Sequence, residues 1–216
     1  MSKQFLGVIV AIIVIFFGVY YFSSHGTKTA STSNSSVSSA KPSDHVEGQG
    51  STGVTLVEFG DYECPFCGEY YPTVKAIVKQ YFSQITFQFV NFPLVTIHPN
   101  AFAGARAAEA ASMMGQFWQM HDLLYQNQNQ WVSASNPLPY FMLYAKSLGL
   151  NTNTFVKDYN SEAVNNVINA DITKGNNLGI DATPTFYLDG KQIQPANSIT
   201  AFQTLINAAI AKKTGK

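Results

Sequence analysis

At 216 residues the chain is long enough for one domain of ordinary size with a full core. Its formal net charge is zero and only 12% of its residues are charged, so no basic field points to nucleic acid. Aromatic residues make up 13%, which suits a packed core with some apolar binding surface.

Phe5 to Phe22 is an 18-residue run without a charge. It is near the length that spans a bilayer and longer than the apolar part of a usual signal peptide. Tyr20, Tyr21 and Phe22 close it, as aromatics do at a membrane interface, and Lys3 ahead of it favours an N-inside orientation. Residues 1–22 are therefore expected to be a membrane anchor or a removed signal segment, and either way the rest of the chain is exported. Ser23 to Gly53 is rich in Ser, Thr and Gly and reads as a flexible tether spanning roughly 30 Å. His25 and His45 fall in it and are read as solvated loop residues.

Val54 to Phe59 is apolar and β-branched, the pattern of a buried strand, and Gly60-Asp61 breaks it. Tyr70, Val74, Ile77, Val78, Tyr81 and Phe82 then recur near helical spacing, so Cys64-Pro65-Phe66-Cys67 sits where a strand ends and a helix begins. A helix start carries unpaired N–H groups and the positive end of the macrodipole, which favour a thiolate. Pro65 falls at the first helical position, where its missing N–H costs nothing. Cys64 is read as the exposed nucleophile and Cys67 as the buried resolving thiol. Three other readings stand beside this one. A structural disulfide closing so short a loop would stabilise little. A zinc site would need two more ligands, and no second Cys pair exists. Two free core thiols are the third. Export permits disulfides, yet two cysteines at this spacing read as a reagent rather than a staple.

Val57-Glu58-Phe59-Gly60-Asp61-Tyr62-Glu63-Cys64-Pro65-Phe66-Cys67 resembles the active-site region of DsbA-like thiol-disulfide oxidoreductases, which have a thioredoxin fold. The membrane-anchored or exported relatives of Gram-positive-type bacteria match best, and the resemblance covers about residues 53 to 213. It implies an α/β, thioredoxin-like fold with an inserted helical domain, here preceded by an N-terminal transmembrane helix. Glu58 lies in the buried strand, where a carboxylate is costly unless paired or protonated. The resemblance gives it a proton-shuttle role toward Cys67. Asp61 and Glu63, nearer the loop, are expected to be exposed and to work against a depressed Cys64 pKa. Pro72 is expected to kink the helix, as in thioredoxin-like proteins.

Ile85 to Val90 alternates and reads as the next strand, parallel to the first across a right-handed crossover. From Ile97 to Lys174 no strand signal appears. Helices are expected over Ala101–Met114, Gln116–Gln126, Pro139–Leu148, and from an Asn151 or Thr152 cap to about Lys174. This is the helical insertion, about 97–174, within a domain spanning 54–213. His98 and His121 lie on different elements with no carboxylate at metal spacing, so they are read as packing or capping residues and no metal is expected. Met113, Met114, Phe117, Trp118 and Met120 read chiefly as core.

Phe186 to Leu188 reads as a strand, Asp189-Gly190 as a hairpin turn and Lys191 to Gln194 as an edge strand. Thr183-Pro184 before them matches the cis-proline motif that thioredoxin-like proteins set against the cysteine pair. The resemblance makes Thr183, Pro184 and Phe66 the substrate contacts. Ile199 to Lys212 is a final amphipathic helix. The expected activity introduces disulfides into unfolded or reduced exported proteins from the extracytoplasmic side of the cell membrane. No cofactor is expected, and the resemblance implies a quinone-linked membrane thiol oxidase that reoxidises the pair. A disulfide reductase or isomerase would use the same residues, with a different reduction potential. A non-catalytic binding module for unfolded chains is the alternative of another class.

Overall fold

In the computed structural model, residues 41–215 are described. The expected anchor, residues 1–22, and the tether as far as residue 40 lie outside the described residues. Among the described residues no helix is long and apolar enough to cross a membrane.

The elements run β1 (His45–Glu47), β2 (Val54–Gly60), α1 (Pro65–Gln80) and β3 (Ile85–Asn91). Six helices follow: α2 (Ala101–Ser112), α3 (Phe117–Gln126), α4 (Gln128–Trp131), α5 (Leu138–Ser147), α6 (Thr152–Tyr159) and α7 (Glu162–Asn177). Then come β4 (Thr185–Leu188), β5 (Lys191–Ile193) and α8 (Ile199–Thr214). The sheet order is β1-β3-β2-β4-β5. β2 and β3 are parallel, from Val54 opposite Ile85 to Gly60 opposite Asn91, with α1 as the crossover. β4 is antiparallel to β2, with Glu58 opposite Phe186. Asp189 and Gly190 both take positive φ, 48° and 77°, the backbone that a two-residue hairpin turn requires. This is a thioredoxin-like α/β sheet with helices inserted between β3 and β4.

α1 forms because Pro65 starts it and Cys67, Val74, Ile77 and Val78 make one buried face. Full burial of such aliphatic side chains contributes about 1.5 to 3 kcal/mol each. The helix runs through Pro72 to Gln80. On the same side of the sheet, α8 sets Phe202 edge-on to Phe186, with ring centroids 5.2 Å apart. α2 is buried through Ala101, Ala105, Ala107, Ala108, Ala110 and Ala111, whose small side chains let α3, α6 and α7 close in around it.

Four expectations change here. The tether does not run free to Gly53, because His45–Glu47 pairs with β3 as an edge strand, Val46 opposite Gln88. His45 is not solvated: its ring stacks on Phe117 at 3.4 Å, and Nε2 meets Glu109 Oε1 at 2.7 Å. Ser43 donates through N and Oγ to the two Asp171 oxygens, both at 2.7 Å, and Asn91 donates to Asp171 and Glu109. Apolar periodicity cannot register such a buried polar tie. The last insertion helix is two helices, since Asn151 caps Thr154 N and Ser161 caps Val164 N. Asn151 caps the expected start, whereas the Ser161 cap satisfies an N–H that a continuous helix would have paired with a carbonyl. Met113, grouped with the core, is 56% exposed because α2 ends at Ser112.

Candidate active site

The polypeptide turns sharply between β2 and α1, and that turn presents both cysteines. Cys64 is the N-cap of α1, with extended backbone (φ −63°, ψ 122°) and no side-chain cap, and its carbonyl accepts the Gly68 N–H at 3.1 Å. Cys67 lies one turn on, facing the sheet and fully buried. Both are free thiols. The Cys64 thiol is 3.3 Å from the Thr183 carbonyl, and the Thr183-Pro184 bond is cis. The strand end, the helix start and the β4 approach therefore meet at one sulfur.

Cys64 is less open than expected, at 3% exposure. The apolar surface at this place belongs to Phe66, 63% exposed, which stands out from the first turn of α1. Phe66, Tyr70, Thr183, Pro184, Ile193 and Pro195 line a groove of about 250 Å³ beside the pair. The expected contacts Phe66, Thr183 and Pro184 thus share one cavity wall, and Tyr70, Ile193 and Pro195 complete it.

The two sulfurs differ in acidity. The Cys64 thiol is lowered to about 6, chiefly by a hydrogen bond from Cys67; burial opposes this, and Thr183 adds to it. The helix start acts in the same sense. Cys67 is pushed well above the ordinary thiol value, first by burial and then by its bond to Cys64. Glu58 is raised to about 8, by burial and then by the charge of Cys64, so its carboxyl is largely protonated at neutral pH. The Glu58 side chain also faces a small cavity with Tyr71, Lys75, His121, Asp122 and Tyr125, and Lys75 pairs with Asp122 at its outer side.

Asp61 and Glu63 are buried at 1% and 9%, against the expectation that they are exposed. The reason is a set of donors that a linear reading cannot bring together. Asp61 accepts from Glu63 N at 2.8 Å and Leu94 N at 2.9 Å and pairs with His98 Nδ1 at 2.7 Å. Glu63 accepts from Asn100 N. His98 is therefore a partner of the active-site loop. His121 is a buried ring whose Nδ1 lies 3.1 Å from the Tyr62 hydroxyl, and burial lowers it to about 3. Among the described residues no group of three or more His, Cys, Asp or Glu is placed to hold a metal.

Sequence reasoning missed Gln128. Its side-chain amide donates to the carbonyls of Tyr62 and Cys64, both at 2.9 Å. It reaches them over Gly68, where any Cβ would stand 2.5 Å from Gln128 Oε1. A lone Gln in a polar four-residue helix carries no signal of this; the glycine after the second cysteine is the nearest hint.

The thioredoxin family profile matches residues 40–208. Among curated proteins, the Na(+)/H(+) antiporter NhaA 1 of Salinispora arenicola is 34% identical over 169 residues, 78% of this chain and 25% of the relative. The antiporter NhaA 3 of Salinispora tropica is 33% identical over 168 residues, again 78% and 25%. The chain thus spans about a quarter of the length of the curated relatives it matches. Among solved structures, oxidised BdbD from Bacillus subtilis shares 25% identity at a TM-score of 0.66, covering 80% of this chain and 97% of that one. α-DsbA1 from Wolbachia pipientis superposes at a TM-score of 0.67 with 18% identity, covering 81% and 95%, which bears on the fold alone.

Proposed function

Because this chain belongs to the thioredoxin family, in its DsbA-like branch, and is a thiol-disulfide oxidoreductase with Cys64 and Cys67 as its active-site pair, we propose that it works as an oxidase, donating its disulfide to unfolded or reduced exported proteins. What supports the direction is the Cys64 thiol, which Cys67 and Thr183 hold well below the ordinary thiol range, at about 6. A thiolate stabilised at neutral pH stabilises the reduced pair, so the oxidised pair gives up its disulfide readily.

The steps follow from the two unlike sulfurs. A substrate thiolate attacks Cys64 Sγ of the Cys64–Cys67 disulfide. The Cys64–substrate bond forms as the Cys64–Cys67 bond breaks, and Cys67 leaves with the electron pair. Cys67 is the weaker acid, so it takes a proton, and the Glu58 carboxyl, still protonated near neutrality, supplies it. A second substrate thiolate then attacks the substrate sulfur of the mixed disulfide. Cys64 leaves as a thiolate, the substrate is oxidised by two electrons, and the pair is reduced. In reoxidation the Cys64 thiolate attacks a disulfide of the oxidising partner and one partner thiolate leaves. Cys67 then passes its proton to Glu58 in its ionised fraction and attacks Cys64 Sγ, so the Cys64–Cys67 bond forms as the Cys64–partner bond breaks and the second partner thiolate leaves. A quinone-linked membrane thiol oxidase is the partner class proposed for that step. Phe66 and the groove wall at Thr183 and Pro184 hold an extended substrate segment against Cys64. The uncharged run Phe5–Phe22 supports a place on the extracytoplasmic side of the cell membrane, with that run as a single-pass anchor.

The test is the equilibrium of the pair against a glutathione buffer, together with oxidation of a reduced, unfolded two-cysteine substrate. An oxidase gives a potential well above the roughly −270 mV typical of thioredoxin, and Cys64→Ser abolishes substrate oxidation. A potential as low as thioredoxin's would make the protein a reductase. Undiminished oxidation by Cys64→Ser would overturn the mechanism.

A further inference from the structure

Asp61 holds both halves of the redox pair through its own main chain. Its carbonyl accepts the Cys64 N–H at 3.2 Å and, at 3.4 Å, the Tyr125 hydroxyl; its N–H donates to Cys67 Sγ at 3.5 Å. Its carboxylate is buried, and a buried carboxylate is tolerated only when its oxygens are well supplied with donors or opposite charge. Three groups supply it: Glu63 N, Leu94 N and the His98 imidazole at 2.7 Å. The first two are fixed main-chain dipoles. Of the three, only His98 can change its charge.

We propose that His98 is a positioning residue for the exchange reaction: paired with Asp61, its imidazole sets the net charge that the active-site loop presents to the two sulfurs, and so sets how well Cys64 serves as nucleophile and leaving group. The inference rests on the exchange reading above. Asp61 and Glu63, both from the β2–α1 loop, are the titratable groups that face His98, and none stands on its own loop or the first turn of α2, Phe92 to Gly104. The sign follows from charge. The Asp61 carboxylate opposes the Cys64 thiolate. An imidazolium beside Asp61 cancels that opposition, and a neutral replacement restores it. His98 is also only slightly open to solvent, its side chain 15% exposed, so the pair is weakly screened.

The test titrates the Cys64 thiolate of the reduced full chain by its ultraviolet absorbance and by its alkylation rate. His98→Gln keeps a donor for Asp61 but carries no charge, and it is expected to raise the Cys64 midpoint by about half a pH unit. Asp61→Asn is expected to lower the midpoint, and His98→Gln placed in that background to move it less than half as far. Loss of a merely structural contact would lower the thermal midpoint without this coupled pattern. The proposal is overturned if His98→Gln leaves the Cys64 midpoint where it was, or moves it equally with and without the Asp61 carboxylate. Should His98→Gln fail to fold, His98→Asn takes its place with and without the Asp61 carboxylate, and the same two outcomes overturn the proposal. These readouts do not depend on whether the pair oxidises or reduces its substrates, so a wrong direction and a wrong role for His98 give different results.

Discussion

The side-chain amide of Gln128, in the helical insertion, donates to the main-chain carbonyl of Cys64 at 2.9 Å. This bond ties the N-cap of α1 to a residue 64 positions further along the chain. The insertion therefore helps hold the redox pair in place. Gln128→Ala is expected to cost about 1 to 2 kcal/mol, because the Tyr62 carbonyl loses the Gln128 donor and the Cys64 carbonyl is left with the Gly68 N–H alone. Urea unfolding measures the loss, and an unchanged unfolding midpoint would refute it.

Gly68 gives a related prediction with a change of sign. A Cβ there would stand 2.5 Å from Gln128 Oε1, so Gly68→Ala should displace the Gln128 side chain and destabilise the protein. In a Gln128→Ala background the obstacle is gone. Alanine should then be neutral or stabilise by up to about 1 kcal/mol, the ordinary preference of a helix for Ala over Gly. The same unfolding series, run in both backgrounds, checks the reversal.

Cys64 should react as a thiolate well below the usual pH. With its thiol lowered to about 6, alkylation of the reduced protein should hold level above that pH and fall about tenfold per pH unit below it. Cys67 should stay unmodified throughout, being fully buried and a weaker acid. Mass spectrometry of the alkylated protein separates the two sites. Equal labelling of both would contradict the assignment of roles.

Glu58 should oppose folding near neutral pH. Its folded value, about 8, lies above the ordinary carboxylate value of 4.5, so the folded chain holds a proton that the unfolded chain releases. Stability attributable to this group falls as pH rises from about 4.5 toward about 8, and below that window the penalty is absent. Glu58→Gln should therefore stabilise the protein at pH 7, by on the order of 2 to 4 kcal/mol, with the advantage gone at pH 4. It should also slow the step in which Cys67 gains or loses its proton. Chemical denaturation at the two pH values, with stopped-flow exchange kinetics, tests both halves.

Asp171 should be a costly residue to remove although it lies outside the redox site. It takes four hydrogen bonds from Ser43 and Asn91, and Asp171→Ala leaves those buried donors without their acceptor. A loss on the order of 3 kcal/mol is expected. Hydrogen exchange should show residues 43–47 losing protection first, and retained protection there would refute the tie.

Much of the fold was legible because it rests on short-range patterns. β2, α1, β3, β4 and α8 follow from alternation, helical spacing, Pro65 and the Asp189-Gly190 turn, and each lies within a few residues of its expected bounds. The redox pair's place at a strand-to-helix turn and the burial of Glu58 were legible for the same reason, and Thr183-Pro184 through its resemblance to the cis-proline motif of thioredoxin-like proteins. Asp61, Glu63, His98 and Gln128 were not. Each owes its place to partners tens of residues away, and hydropathy gives a polar residue no cue that a donor awaits it inside the fold. β1 escaped for a further reason: three residues are too few to show a period, and Ser43 and His45 are held by carboxylates on α7 and α2.

The sheet's margins are short. β1 and β5 close its two edges with three residues each, and charged Glu47 and Lys191 stand at their ends. A long open edge is a template on which foreign strands stack and aggregate. For a protein whose proposed work brings it together with unfolded chains, that hazard is constant. Trimmed edges offer such chains little to zip onto, so capture can stay with the groove, whose contacts are reversible, and the protein avoids seeding aggregates of its own clients.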